Sequence, residues 1–416
     1  MTDVEIRPLG PDDDMDAQVD LEQRAFGMGT ATEWDNFRDA TARLIEDGRV
    51  LGAFVSGRPA GAAAFHDMRQ WWHGGEMPLA GVAGVKIAPE HRGRGIGGRL
   101  MTTLLDLIAE RGYPVSALYP ATMPIYRSLG WEVAGGCYVT AVPARELRSL
   151  MAPDAAAFSG GGDSALAAAA KAVSVRRVGP DDAAAVNAVM ARAYEVTRAS
   201  GPLIRDTESV ARRLSRDGLY AYLADDGFLA YRWHNGDKDL WVDYLVAASA
   251  ETARALWSVA ASHSSMAGTV HGRLAPEDPI WWLTRERDVA ITKRAMWMLR
   301  VVDAPAAIAA RGFPPAVELS VPLVIADETR PSNAGRWRLE IADGKGALVP
   351  DGNGHGNGGA LSLGARGLAA LFAGTPVATL RFAGLASGGT PARGASRDDA
   401  ALDAAFTGTA FMLDFF

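Results

Sequence analysis

The chain is 416 residues long, enough for two to four domains that each bury a core. Its net charge of −7 leaves no broad basic surface for nucleic acid, and Cys137 is the only cysteine, which excludes an internal disulfide and a cysteine-rich metal site. The seven histidines show no His-Glu-x-x-His or comparable spacing, so no metal is expected. The start Met-Thr-Asp-Val-Glu lacks a charged-then-apolar signal and no apolar run is long enough to span a bilayer, so a cytoplasmic protein without a membrane span is expected.

In chain order, residues 4–9 (Val-Glu-Ile-Arg-Pro-Leu) read as a first strand, and Asp12 and Asp13 as caps for a helix through Val19, Leu21 and Phe26. Trp34 and Phe37 fall on a second helix within residues 27–47. Residues 49–56 and 60–68 form a hairpin around Gly57-Arg58. The stretch from Gly84 to Met101 then reads as strand, glycine-rich turn and helix. Val85 and Ile87 share a strand face, Pro89 ends the ladder, and Ile96, Leu100, Leu104, Leu107 and Ile108 recur near a period of 3.6, with Gly112 as a left-handed stop.

Gly93, Gly95, Gly97 and Gly98 let the backbone approach a ligand and leave the first helical N–H groups free to face an anion. A Walker loop is rejected because Gly98 is followed by Arg99 and Leu100 rather than Lys and Ser/Thr. Gly93-x-Gly95-x-x-Gly98 satisfies the dinucleotide pattern, but after Glu110 no carboxylate occurs until Glu132, so the ribose acid is missing. The third cradle, Arg92-x-x-Gly95-x-Gly97 after a strand that splays at its end, resembles the coenzyme A pyrophosphate loop of the GCN5-related N-acetyltransferases. A strand at residues 113–118 and a short helix bearing Tyr126, followed by Gly130 and Trp131, resemble the same family. A core-packed tyrosine is the other reading of Tyr126.

Residues 153–171 are Ala, Gly, Ser and Asp with almost no large side chains, as in a flexible linker. The beginning then recurs: Ile6-Arg-Pro-Leu-Gly-Pro-Asp-Asp13 matches Val175-Arg-Arg-Val-Gly-Pro-Asp-Asp182, and the hairpin from Asp47 to His66 recurs loosely from Asp217 to His234. In this second copy the strand at 240–247 and the helix from Glu251 are joined by Ala-Ala-Ser-Ala, without the glycines or arginines, so the copy is expected to be degenerate. Ile280-Trp-Trp282 reads as packing. From Met296 onward, strands at 296–302, 317–325, 337–342, 347–349 and 361–363 alternate with helices at 304–310, 365–372 and 398–406 in a third α+β unit, and His355 falls in a glycine-rich loop.

The expected division is 1–150 catalytic, 151–172 linker, 173–293 degenerate copy and 294–416 third domain. This order, with the aromatic end Phe411-Met-Leu-Asp-Phe-Phe416, resembles the enhanced intracellular survival (Eis) family of GCN5-related N-acetyltransferases over essentially the full length. The resemblance implies an α+β fold class of two tandem acetyltransferase folds and a sterol-carrier-like C-terminal domain, with hexameric assembly. It implies acetyl-CoA as co-substrate and amines as acceptors, notably aminoglycosides at several positions, and lysine side chains. Carried over residue by residue, Val85, Lys86 and Ile87 hold pantetheine; Arg92, Gly93, Arg94, Gly95, Ile96 and Gly97 hold the pyrophosphate. Tyr126 is then the general acid, the α-carboxylate of Phe416 the general base, and Phe26, Trp34 and Phe415 meet the acceptor. Phe26 and Phe415 depart from the family's pattern, in which carboxylates can stand near the cationic ligand, and they favour a partly hydrophobic amine.

The acid role is energetically easier than the base role. A phenol near 10 protonating a thiolate near 8.5 is uphill by about 2 kcal/mol, whereas an α-carboxyl near 3.5 facing an amine near 10 is about 9 kcal/mol short. Burial of the carboxyl among aromatic rings, a cation beside the amine or a water relay closes that gap; the alternative for Phe416 is a hydrophobic anchor. Direct attack without an acyl-enzyme is expected, since Cys137 lies beyond the Tyr126 helix. The expected reaction is acetyl transfer to primary amines of a cationic, aminoglycoside-type small molecule. A protein lysine or polyamine acetyltransferase, or a non-catalytic acyl-CoA or lipid sensor, are the alternatives.

Overall fold

Strand β1 (Val4–Pro8) pairs antiparallel with β2 (Val50–Val55), and β2 with β3 (Arg58–Trp72). The computed structural model describes residues 4–27, 29–151, 173–284, 288–352, 359–389 and 397–416. The linker stretch 152–172 and His355 lie outside them. Helices α1 (Met15–Phe26) and α2 (Ala31–Glu46) stand between the first two strands. The cap of α1 is Asp14, not Asp12 or Asp13: its carboxylate accepts from the N–H groups of Asp16 and Ala17. Asp13 instead takes a bidentate pair with Arg7 and the N–H of Gly10, which holds its carboxyl down at about 2. A capping box between Thr30 and Glu33, unread in the sequence, starts α2.

The β2–β3 turn is Ser56-Gly57, both at positive φ, the pairing that a two-residue hairpin needs. A second such turn, His73-Gly74, sends the chain back as β4 (Gly75–Ile87), ten residues earlier than the strand face at Val85 had indicated, close enough that Trp72 pairs with Gly75. Helix α3 (Ile96–Glu110) buries Ile96, Leu100, Met101, Leu104, Leu105 and Ile108 against this sheet. Each such side chain removed from water contributes roughly 1.5–3 kcal/mol. Then follow β5 (Val115–Leu118), α4 (Pro124–Ser128) and β6 (Glu132–Pro143).

The second copy repeats the sequence of elements: β7 (Arg176–Val178), a helix Ala183–Val196, β8 (Leu203–Ile204), a helix Thr207–Leu214, then β9 (Leu219–Ala224), β10 (Gly227–His234) and β11 (Asp239–Ala247). A helix Ala250–Ala261 and β12 (Thr269–Leu274) complete the repeat. The short helix Ile280–Leu283 buries Ile280 fully but leaves Trp282 74% exposed, so that tryptophan does not pack as its neighbours do.

The two copies exchange their closing strands. β6, at the end of the first copy, pairs with β12 of the second, while β13 (Ala290–Val301), after the second copy, inserts between β5 and β6. Among the described residues one thirteen-stranded sheet results, with the order β1-β2-β3-β4-β5-β13-β6-β12-β11-β10-β9-β7 and β8 on the flank of β3.

The described residues of the third unit form a separate five-stranded sheet, ordered β16-β15-β14-β17-β18: β14 (Leu319–Ala326), β15 (Gly335–Ala342), β16 (Lys345–Pro350), β17 (Leu361–Gly364) and β18 (Ala386–Gly388). Helices Ala304–Ala310, Ala365–Phe372, Val377–Phe382 and Arg397–Ala405 cover it, of which Val377–Phe382 was not expected. Its core is continuous with Trp72, Leu79 and Trp297 of the large sheet. Arg300 of β13, fully buried, is pinned there by both oxygens of Asp327 at 2.6 and 2.7 Å.

Candidate active site

β4 and β5 run parallel and pair only from Leu79↔Val115 to Val82↔Leu118. Beyond that point β4 continues through residues 83–87 with no partner on the β5 side, while β5 ends. Gly84, at φ 61°, lies where the β3–β4 register slips by one residue, a bulge that turns the strand outward. The parted strands leave the free backbone edge of Val85 and Ile87 facing a slot. The side chain of Lys86 is committed to α1 rather than to that slot. Its ammonium pairs with Glu22 of α1 at 2.6 Å and lies 4.8 Å from the centre of the Phe37 ring, and burial pulls its pKa down.

At the mouth of the slot a single turn, Pro89–His91, leads to Arg92, Gly93, Arg94 and Gly95, all exposed. Gly95 precedes α3 in the left-handed region at φ 76°, ψ 1°, where any other residue carries strain of about 1–2 kcal/mol. No side chain caps α3 and no acid occupies its first turn, so its free N–H groups and partial positive charge face the loop. A Cβ at Gly93, Gly95 or Gly98 would meet nothing within 4 Å. Arg92 donates through Nε to Ile87 O at 3.2 Å, which keeps the guanidinium beside the helix start. Backbone donors, a helix terminus and two exposed guanidinium groups suit a diphosphate.

Across the slot, α4 carries Tyr126, only 6% exposed, with its ring 6.5 Å from that of Trp131. Burial raises its phenol pKa, which keeps the group in its proton-donating form. The neighbouring Arg127 pairs with Glu132 at 2.8 Å, and Arg366 of the third unit holds the other oxygen of Glu132 at 2.6 Å. The third unit thereby braces the helix that presents Tyr126.

The chain's end reaches the same place. Phe411 N–H donates to Ser200 O and Met412 N–H to Gly136 O, both at 3.0 Å, so the tail lies between the two copies. Asp414, 2% exposed, accepts from Tyr244 Oη at 2.5 Å and Arg213 Nη2 at 3.0 Å, with Arg205 Nε at 3.5 Å, all from the second copy. Its carbonyl accepts from Tyr119 Oη at 2.7 Å. The Phe415 ring lies 4.1 Å and the Phe416 ring 5.5 Å from that of Tyr119. Phe416 covers Gly81, where a Cβ would come within 2.9 Å of its ring and 1.9 Å of Met68 Cε. Gly81 is one residue before the point where β4 and β5 part.

The residues read from the sequence therefore fall into two groups. Val85 to Gly97, Tyr126 and Phe416 surround the parting of β4 and β5. Phe26, 57% exposed, and Trp34, whose ring packs on Phe37 at 6.1 Å, sit on α1 and α2. Among the described residues, no ring contact joins them to Phe415. Sequence reasoning missed the anchors of the tail, Tyr119, Arg205, Arg213 and Tyr244, which are separated from it by hundreds of positions in some cases and carry no motif. It also missed His66. That residue pairs with Gly81, so its side chain leaves the sheet on the face that Phe416 covers. Burial, and then Arg205 and Arg49, push its pKa down to about 4, leaving it neutral. Among the described residues no group of His, Cys, Asp or Glu is arranged to hold a metal, and no helix is long and apolar enough to cross a membrane.

Residues 5–134 and 201–301 each match an acetyltransferase (GNAT) domain, and residues 304–413 match a sterol carrier protein domain. The chain is 30% identical over 342 residues to the N-acetyltransferase Eis of Mycobacterium tuberculosis, covering 78% of each chain. A GCN5-related N-acetyltransferase from Kribbella flavida superposes with a TM-score of 0.89 at 41% identity, over 100% of this chain and 99% of that one. Eis1 from Mycobacterium abscessus shares the fold at a TM-score of 0.76 and 24% identity, over 99% and 100%.

Proposed function

Because the chain belongs to the Eis family of GCN5-related N-acetyltransferases, we propose that it transfers the acetyl group of acetyl-CoA directly to the primary amine of a small molecule with an apolar body. One observation carries this reading: the slot where β4 leaves β5 has an uncapped helix start at one end and, beside it, a buried tyrosine and the chain terminus. Arg92, Arg94 and the N–H groups after Gly95 take the pyrophosphate, and the free edge of Val85 and Ile87 takes the pantetheine amides. The amine, neutral once the Phe416 carboxylate has accepted its proton directly or through water, attacks the thioester carbonyl. The C–N bond forms, the C–S bond breaks, and Tyr126 protonates the departing sulfur; the second proton released from nitrogen restores the phenol through solvent.

The acceptor side supports an amine with hydrophobic surface over a polycation. Phe415 is 56% exposed beside Tyr119, while Asp414 is already committed to arginines and Glu22 to Lys86. Aminoglycosides, the acceptors the resemblance implies, are therefore one arm of the test, with arylalkylamines, polyamines and a lysine peptide as the others. Turnover of acetyl-CoA is measured against each; the arylalkylamine is expected to give the highest kcat/KM, and tight coenzyme binding without turnover on any amine would overturn the reading. Tyr126→Phe is expected to lower kcat about 100-fold or more with KM for acetyl-CoA unchanged. Adding one glycine after Phe416 moves the carboxylate, and a full rate in that variant would reject it as the base. Cys137, 4% exposed and held protonated by burial, takes no part, so Cys137→Ala keeps its turnover. Assembly as a hexamer belongs to the same reading and is checked by sedimentation of the full chain.

A further inference from the structure

The second copy repeats the parting of strands that opens the slot in the first. β11 and β12 pair in parallel only from Leu240↔Val270 to Val242↔Gly272, after which β11 continues through residues 243–247 paired with β10 and without a partner on the β12 side. A cavity of about 410 Å³ opens at that point, within the range of sites that enclose small molecules. Leu245 and Val246 of the free strand, Ala253 and Trp257 of the following helix, and Phe411 and Leu413 of the C-terminal tail form its apolar walls.

This cavity has lost the means to hold a diphosphate. Ser249 caps the helix Ala250–Ala261 by accepting from Thr252 N–H, Glu251 stands in its first turn, and Thr252 Oγ1 donates to Asp226. What the cavity has is a carboxylate. Asp278 lines it at 7% exposure, and Oδ1 accepts one backbone N–H, from Ile280 at 2.9 Å. No described cation pairs with it. Arg198 is the only cation among the lining residues and is exposed, as is Glu277, which accepts from Thr409 Oγ1 at 3.0 Å. Burial raises the Asp278 carboxyl to about 6, still ionised in the main at neutral pH. A buried carboxylate without a counter-ion is costly, and a ligand that brings one relieves that cost.

We propose that this cavity is a second ligand site, separate from the acetyl-transfer slot, that binds a small amine: an apolar body against Trp257, Leu245 and Leu413 with its ammonium on Asp278. Its occupant carries no phosphate and is not coenzyme A. The site shares the C-terminal tail with the catalytic reading, through Phe411 and Leu413, but uses none of the residues placed at the coenzyme or the reacting atoms.

The test uses the full chain and 2-phenylethylamine, with 3-phenylpropanoate as the like-sized anion, in isothermal titration. The wild type is expected to bind the amine saturably and the anion at least tenfold more weakly. Asp278→Asn removes the charge-assisted bond and is expected to weaken the amine at least tenfold. Ala253→Leu fills the cavity without touching Asp278 and is expected to do the same; acetyl-transfer rates of both variants stay at the wild-type level. A crystal soaked with the 4-bromo amine is expected to show anomalous bromine density beside Trp257. Equal affinity for the anion, unchanged amine affinity in Ala253→Leu, or bromine density only at the β4–β5 slot would each overturn the proposal.

Discussion

The two acetyltransferase copies differ least in their sheets and most at one helix start. Both part a parallel strand pair, at Val82 in the first and Val242 in the second, and both follow the free strand with a helix. In the first copy that helix begins at a left-handed glycine with no cap and no acid in its first turn; in the second it begins at Ser249, whose hydroxyl caps it, with Glu251 beside it. An open helix end costs stability and attracts an anion, while a capped one is stable and indifferent to it. On the proposed function the copies divide the work. The first would use its exposed donors for the coenzyme, while the second supplies strand partners and the Tyr244, Arg213 and Arg205 grip on Asp414, next but one to Phe416.

The largest test of this division is Gly95→Val. A β-branched residue at φ 76° is strained by roughly 1–3 kcal/mol and its methyl groups cover the N–H groups after it. KM for acetyl-CoA is expected to rise about 100-fold with kcat changed far less. Next in size is Asp414→Asn, which removes the charge that Arg213 and Arg205 hold and leaves the tail on weaker neutral bonds. Here kcat is expected to fall about tenfold, the scale of a charge-assisted bond, while KM for acetyl-CoA stays put. A fall in coenzyme affinity instead would mean that the second copy supports the cradle rather than the terminus.

How much of this was legible in the sequence follows from the range of the interactions. The strand, glycine turn and helix were readable because their parts lie within Gly84–Met101 and each is a local backbone demand: a glycine where φ must be positive, apolar residues at helical spacing. The duplication was readable because Gly-Pro-Asp-Asp recurs ahead of both first helices. The exchange of β6 and β13 was not, since a strand's composition does not name its neighbour. Asp414 looked like an acid near a hydrophobic end, and only the fold brings Arg213 and Tyr244 to it across 201 and 170 positions. Trp282 reads as core from its neighbours, yet a helix of one turn exposes whichever side chain faces away.

His66 gives a pH test of the face on which Phe416 rests. Its folded pKa of about 4 lies below the unfolded value near 6.5, so the unfolded chain takes up the proton first. The stability it contributes is complete above about 6.5 and is lost as pH falls through the window down to about 4. Thermal melts are expected to show Tm falling across that window in the wild type, and the slope is expected to shrink in His66→Gln. An unchanged slope would place the acid sensitivity elsewhere, His73 being the next group with a lowered pKa of about 4.

The smallest effect sharpens the comparison most directly. Ser249→Ala removes the hydroxyl that accepts from Thr252 N–H, and loss of an N-cap costs about 1 kcal/mol. For a single sheet shared by both copies this is a Tm shift of a few degrees or less. The helix start it exposes still carries Glu251, has no arginine in its turn and sits at extended rather than left-handed backbone, with φ −132° at the cap. Uncapping alone therefore restores neither the charge nor the geometry of the first cradle. The variant is expected to melt slightly earlier, to bind one acetyl-CoA per chain, the number also expected of the wild type, and to keep its rate. A second equivalent of coenzyme in equilibrium dialysis would show that the cap, and not the missing glycines and arginines, is what keeps coenzyme from the second copy.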